Sequence, residues 1–104
     1  MTALRFSGRA RRHLISIARY LFEETGDRRA GEKMVREIEE RMLRIAQNPA
    51  TLGTPRHDLG RNLRSVPHKS YLVFFRYDAQ RIDVLHVVHS RRDLRAYFTG
   101  AVDE

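Results

Sequence analysis

Three groups of residues in this sequence are of types that do chemistry. The densest is Arg91, Arg92 and Arg95, with Tyr97 and Phe98 just beyond. Guanidinium groups present rigid, bidentate forks to phosphates and carboxylates. On a helix, Arg91–Arg95 and Arg92–Arg95 share neighbouring surface, while Leu94, Tyr97 and Phe98 supply an apolar side. Two readings stand side by side: a basic, aromatic contact surface for a macromolecule, or a solvated C-terminal helix whose Leu94 and Phe98 pack on a sheet. The second group is His86 and His89. Residues three apart on a strand point to opposite faces, so the pair cannot readily grip one ion, and no metal is expected. His86 reads as a packed or hydrogen-bonded sheet residue and His89 as a polar residue at a strand end. The third group, Arg56, His57, Arg61 and Arg64, lies in a loop and the strand that follows it. Ser70 and Ser90 belong to no nucleophile motif, and no Gly-rich loop cradles a nucleotide. Cofactors are not expected.

Charge sharpens the question of partner. Twenty basic residues against thirteen acidic ones give +7, and only Lys33 and Lys69 of the twenty are lysine. Residues 1–40 hold nine basic and seven acidic groups, whereas residues 41–95 hold eleven and four. The excess sits in the second half and suits an acidic or polyanionic partner; a compositional preference of the source genome is the plain alternative. Without cysteine, disulfides and thiolate metal sites are ruled out, and a reducing compartment fits. No apolar run approaches the roughly 20 residues that span a bilayer. Met1–Phe6 lacks the apolar centre of a signal peptide, so a soluble cytoplasmic protein is expected.

The elements that must position these groups centre on the segment Tyr71–Phe98. Tyr71–Tyr77 is almost wholly aromatic, β-branched or leucine, and Ile82–His89 repeats that character after a polar break at Asp78–Arg81; a hairpin is predicted. The first run is apolar on both alternating faces, as in an interior strand covered on both sides. Thr2–Phe6 reads as a short edge strand. From Gly8 to Thr25, Ala10, Leu14, Ile17, Ala18 and Leu21 recur at helical spacing, with Phe22 widening the stripe. Ser7 caps that helix and Gly26 stops it. Asp27 caps a second helix with the stripe Ala30, Met34, Val35, Ile38, Met42, Ile45 and Ala46, ended by Asn48-Pro49. Glu32–Arg36, Glu37–Arg41 and Glu40–Arg44 are spaced to support it as i,i+4 pairs. Two such helices on a very short turn form an antiparallel pair that buries its stripes on one sheet face. Pro49–Gly60 is an irregular loop, and Leu63–Val66 a short strand stopped by Pro67. The prediction is a single α+β domain over residues 1–104: a strand, a helical hairpin, three antiparallel strands completing a small, mainly antiparallel four-stranded sheet, and a short C-terminal helix.

The segments LRFSGRARRHLISIARYL, RIAQNPATLG, NLRSVPHKSYLVFFRY and IDVLHVVHSRRDLRAYF together resemble the ParE/RelE superfamily of type II toxin–antitoxin toxins. The resemblance covers nearly the whole chain. Its most specific parts are Leu63-Arg64-Ser65 leading into a tyrosine-bearing strand and the Val87–Asp93 junction, and it is nearer the ParE branch, the plasmid-stabilisation proteins. It implies the RelE/ParE toxin fold and neutralisation by a dedicated antitoxin in a hetero-oligomeric complex. For the ParE branch the implied target is DNA gyrase, which the toxin traps so that replication stalls, without chemistry of its own. RelE-type relatives instead cut mRNA in the ribosomal A site.

On that alternative, cleavage would need groups that move protons for the 2′-hydroxyl and cations for the phosphorane. The resemblance places Arg91 and Tyr97 in those roles, with His89 beside them. Yet Leu72 stands where the nuclease branch carries an arginine, and Arg56, His57 and Arg61 replace its paired lysines. The expected antitoxin is ParD-like, its disordered C-terminal segment folding on the toxin. Arg91, Arg92, Arg95, Tyr97, Phe98, Arg61 and Arg64 are the candidates for target or antitoxin contact, and Tyr20, Phe22 and Met34 are possible exposed anchors.

Overall fold

The computed structural model describes residues 2–48 and 53–91. The order is β1 (Ala3–Phe6), α1 (Gly8–Thr25), α2 (Arg28–Gln47), β2 (Thr54–Pro55), β3 (Leu63–His68), β4 (Tyr71–Asp78) and β5 (Arg81–His89). These strands form one sheet ordered β1-β5-β4-β3-β2, in which β1 runs parallel to β5 and every other pair is antiparallel. The helices begin and end where their capping residues predict. Ser7 Oγ accepts from Ala10 N at 3.0 Å and Asp27 Oδ1 from Arg29 N at 2.9 Å, and Gly26 closes α1 in the left-handed conformation at φ 70°.

Both helices lie on one face of the sheet. Ala10, Leu14, Ile17, Ile38, Met42, Ile45 and Ala46 meet Val66, Tyr71, Val73, Phe75, Ile82, Val84 and Val87 there. The other face has its own smaller core of Leu63, Phe74, Leu85 and Val88, with Leu59 and Leu72 against it. Strand β4 thus buries side chains on both faces, which is why it carries no alternation of apolar and polar residues. A bulge between Phe74 and Phe75 shifts the register with β5, so that Phe74 faces His86 while Phe75 faces Val84.

Four expectations are corrected. Among the described residues the sheet has five strands, because Thr54–Pro55, within the segment read as loop, pairs with Arg64 and Ser65. Strand β3 runs through Pro67 to His68, with Pro67 opposite Leu72. Leu63 O accepts from Arg56 N on the β2 side, and strand groups alternate in direction, so Pro67 also turns its nitrogen away from β4 and removes no bond of that ladder. Phe22 does not widen the buried stripe but is 46% exposed. Glu37 reaches across to His68 and Lys69 on the β3–β4 turn, at 3.0 and 2.8 Å. The expected C-terminal helix lies outside the described residues.

Candidate functional site

The sequence-predicted arginines do not converge. Arg61 sits in the turn before β3, whose first residue pairs with Arg76 near the end of β4. Arg91 follows β5, whose last residue, His89, pairs with Tyr71 at the start of β4. At about 3.3 Å per residue, the strand between places Arg61 and Arg91 roughly 20 Å apart, at opposite ends of the sheet. Arg64 lies opposite Phe75, on the helix-covered face, and its Nη1 donates to Gly53 O at 3.3 Å, which fastens the outer strand. Arg92, Arg95, Tyr97 and Phe98 lie outside the described residues.

At the Arg91 end a tight turn brings two candidates together: Arg91 N donates to His89 Nδ1 at 3.1 Å. In the neutral ring the remaining nitrogen, Nε2, then carries the proton. The His89 ring stands edge-on to Tyr71, with centroids 5.6 Å apart. Burial, with Tyr20 nearby as a lesser cause, pushes the Tyr71 phenol up from its ordinary value. Tyr71 therefore stays neutral at physiological pH. A cavity of about 450 Å³ opens here between α1 and β5, lined by His13, Ser16, Tyr20, Tyr71, Val87 and His89 among others. Sequence reasoning missed His13. Its Nδ1 accepts from Val87 N at 3.0 Å, and its ring lies 5.7 Å from His86, which is buried. Strand β1 ends at Phe6, so among the described residues the rest of the β5 edge has no strand partner on that side. Ser7 and His13 supply part of what a longer β1 would, Ser7 by donating from N to Val84 O and from Oγ to Leu85 O.

The centre of the second sheet face, filled by its own core, offers little to a scissile phosphate. Leu72 packs into the second core, and His86 is almost wholly buried. Arg56, one substitute for the nuclease lysines, lies over the Phe74 ring at 5.5 Å and is paired with Asp58. Its guanidinium serves packing.

A second candidate surface runs along the outside of the helical pair. Arg11, Ile15, Ala18, Val35, Arg36 and Glu39 line an open groove of about 470 Å³. Leu43 continues that stripe one turn beyond Glu39. Ile15 is 59% and Leu43 48% exposed, and Tyr20 and Phe22 are exposed elsewhere on α1. Of the expected anchors, Tyr20 and Phe22 are thus at the surface, while Met34 packs against the core. Ile15 and Leu43 were not singled out, because their spacing is that of the buried stripe one residue away.

Comparison with known proteins follows this geometry. The fold is similar to that of a toxin–antitoxin structure described as the chromosomal ParDE system from P. aeruginosa, with 21% identity, TM-score 0.70, and coverage of 86% of this chain and 96% of that one. It is also similar to the RelBE2 toxin–antitoxin complex from Mycobacterium tuberculosis, with 21% identity, TM-score 0.57, and coverage of 88% and 93%. No curated protein matches the chain. Residues 4–94 match the family model of the ParE toxin of the type II toxin–antitoxin system parDE. With nearly the whole chain matched, this protein belongs to the ParE toxin family of type II toxin–antitoxin systems.

Proposed function

We propose that this chain arrests its host by binding DNA gyrase in the cytoplasm and stalling replication, and that a ParD-like antitoxin neutralises it. The observation that supports the reading, beside the family, is the filled second face of the sheet: Phe74 is buried there with Leu72 against it, and Arg56 is drawn into packing. A face filled in this way is poorly equipped to move protons. The antitoxin segment folds as an amphipathic helix along the groove of α1 and α2, with Ile15 and Leu43 as apolar anchors and Arg11 and Arg36 beside them. The +7 charge speeds capture of an acidic segment. Arg91 and Arg61, with Arg92, Arg95, Tyr97 and Phe98, are the proposed contacts to the target.

A second reading, a RelE-like ribosome-dependent mRNA endonuclease, is favoured by one observation, the Arg91–His89 turn beside a cationic chain end. Expression without the antitoxin separates the two. The gyrase reading expects DNA breaks that disappear in a strain whose gyrase resists trapping, and intact mRNA. Cut sites in mRNA that vanish with Arg91→Ala would establish the second reading instead.

A further inference from the structure

Across the face away from the helices, at the Arg61 end of the sheet, one transverse row of the register reads Arg5 on β1, Asp83 on β5 and Arg76 on β4. Arg81 stands two residues before Asp83 on β5, on the same face. The Asp83 side chain is only 15% exposed and serves two arginines at once. Its Oδ1 lies 3.3 Å from Arg5 Nε, and its Oδ2 accepts from Arg81 Nε at 3.2 Å. Arg81 is held by a hydrogen bond through Nε and Arg5 by an ion pair without one, which leaves the terminal NH₂ groups of both for another acceptor. The arginine side chains are 64% and 59% exposed. With Arg76 in the same row and Asp78 opposite Arg81, three guanidiniums stand against two carboxylates, a net positive charge, and Asp83 draws Arg5 and Arg81 together beforehand. Ordering two long side chains is a cost of anion binding that is thereby reduced.

We propose that Arg5 and Arg81, held side by side on Asp83, form a phosphate-binding fork through which this chain docks on the backbone of a nucleic acid. Planar guanidiniums presented together suit phosphate oxygens. The choice of a nucleic acid over a protein rests on what surrounds the fork. Protein interfaces are anchored by buried aromatic or apolar side chains. The exposed large apolar residues among those described, Ile15, Tyr20, Phe22 and Leu43, all lie on the helices. The exposed neighbours of the fork are Ala3, Asp78, Ala79 and Gln80, none of which offers such an anchor. A phosphodiester backbone needs none. The inference goes beyond the target assignment and depends on neither reading of it.

The test is anisotropy of a short fluorescein-labelled DNA duplex titrated with the purified full chain across a salt series. The wild type binds at low salt with affinity that falls as salt rises. Arg5→Gln/Arg81→Gln weakens binding at least about tenfold at low salt and lowers the slope of log affinity on log salt by about two, since each phosphate contact contributes about 0.9. Arg28→Gln/Arg29→Gln, which removes the same charge from the exposed start of α2, stays near wild type. Circular dichroism and thermal melting confirm that each variant folds. The proposal is overturned if the control pair weakens binding as much as the fork pair, or if the wild type does not bind the duplex at low salt. Polyglutamate displacing the duplex from the wild type but not from Arg5→Gln/Arg81→Gln would also overturn it, by assigning the fork to an acidic protein.

Discussion

Glu37 joins α2 to the β3–β4 turn, where Lys69 Nζ and His68 Nε2 both reach its Oε1. Hydrogen bonding from Lys69, then from His68, holds the Glu37 carboxyl at about 2, against 4.5 for the unperturbed group. A depressed folded-state value means that this clasp contributes fully above about pH 4.5 and is lost as pH falls through about 2, because the unfolded chain takes up the proton first. Glu37→Gln should therefore lower the urea midpoint at neutral pH, and the gap from wild type should close between pH 4.5 and 2; a gap independent of pH would contradict this. His13 offers a separate test. His13→Ala removes the acceptor of the Val87 amide, and a buried donor left unsatisfied costs about 1–3 kcal/mol. Loss of hydrogen-exchange protection at Val87, with a lower melting temperature, is the expected result. Neither contact was legible in the sequence. The i,i+4 spacing pointed Glu37 at Arg41, and a histidine among the arginines of α1 gives no sign of a strand edge 74 positions away. The fork on Asp83 was hidden for the same reason: Arg5 meets Asp83 only once the parallel register of β1 and β5 is known.

The helices were the most legible elements, because amphipathic period and caps at Ser7, Gly26 and Asp27 are local signals. The central hairpin was equally plain in composition, although its turn, Ala79-Gln80 at φ 51° and 61°, lacks the usual glycine and asparagine. Tertiary contact overrode the local signs elsewhere. Pro67 reads as a stop yet continues β3, and Thr54–Pro55 carries no strand signature of its own. Phe22 was counted with the helical stripe, yet on that turn it is Leu21 that packs against the core while Phe22 stands in solvent. Gly31 marks a further limit. A Cβ there would stand 2.6 Å from Ala18 O and 2.7 Å from Ala18 Cα, so α2 crosses α1 with its backbone almost in contact. Alanine is the better helix former by about 1 kcal/mol, but the clash involves backbone that cannot rotate away. Gly31→Ala should thus be destabilising by about 1–3 kcal/mol net, as overpacking usually is, measured by chemical denaturation. A stabilised variant would show that the helices separate freely.

At the scale of the whole molecule, the exposed apolar residues and the sheet's arginines lie on different surfaces. The helical pair turns its buried stripe to the sheet and leaves Ile15 and Leu43 outside, while the sheet carries the arginines at its two ends. Ile15→Ser/Leu43→Ser should leave stability within about 0.5 kcal/mol, as surface changes do, and weaken capture of the antitoxin by tenfold or more, read by calorimetric titration. Retained affinity would move the antitoxin elsewhere. The fold class and the family were readable from four stretches of sequence; the partition of surfaces was not, because it depends on which side of each element the packing leaves over. The parallel β1–β5 pair has one more consequence. Ala3 waits for Arg81 and Phe6 for Val84, so β1 has no sheet to join until β5 has been synthesised. Contacts this distant in sequence are late and slow to form. The sheet is consequently incomplete for as long as β5 is still being made, and until then α1 and α2 lack part of the surface that buries their stripes.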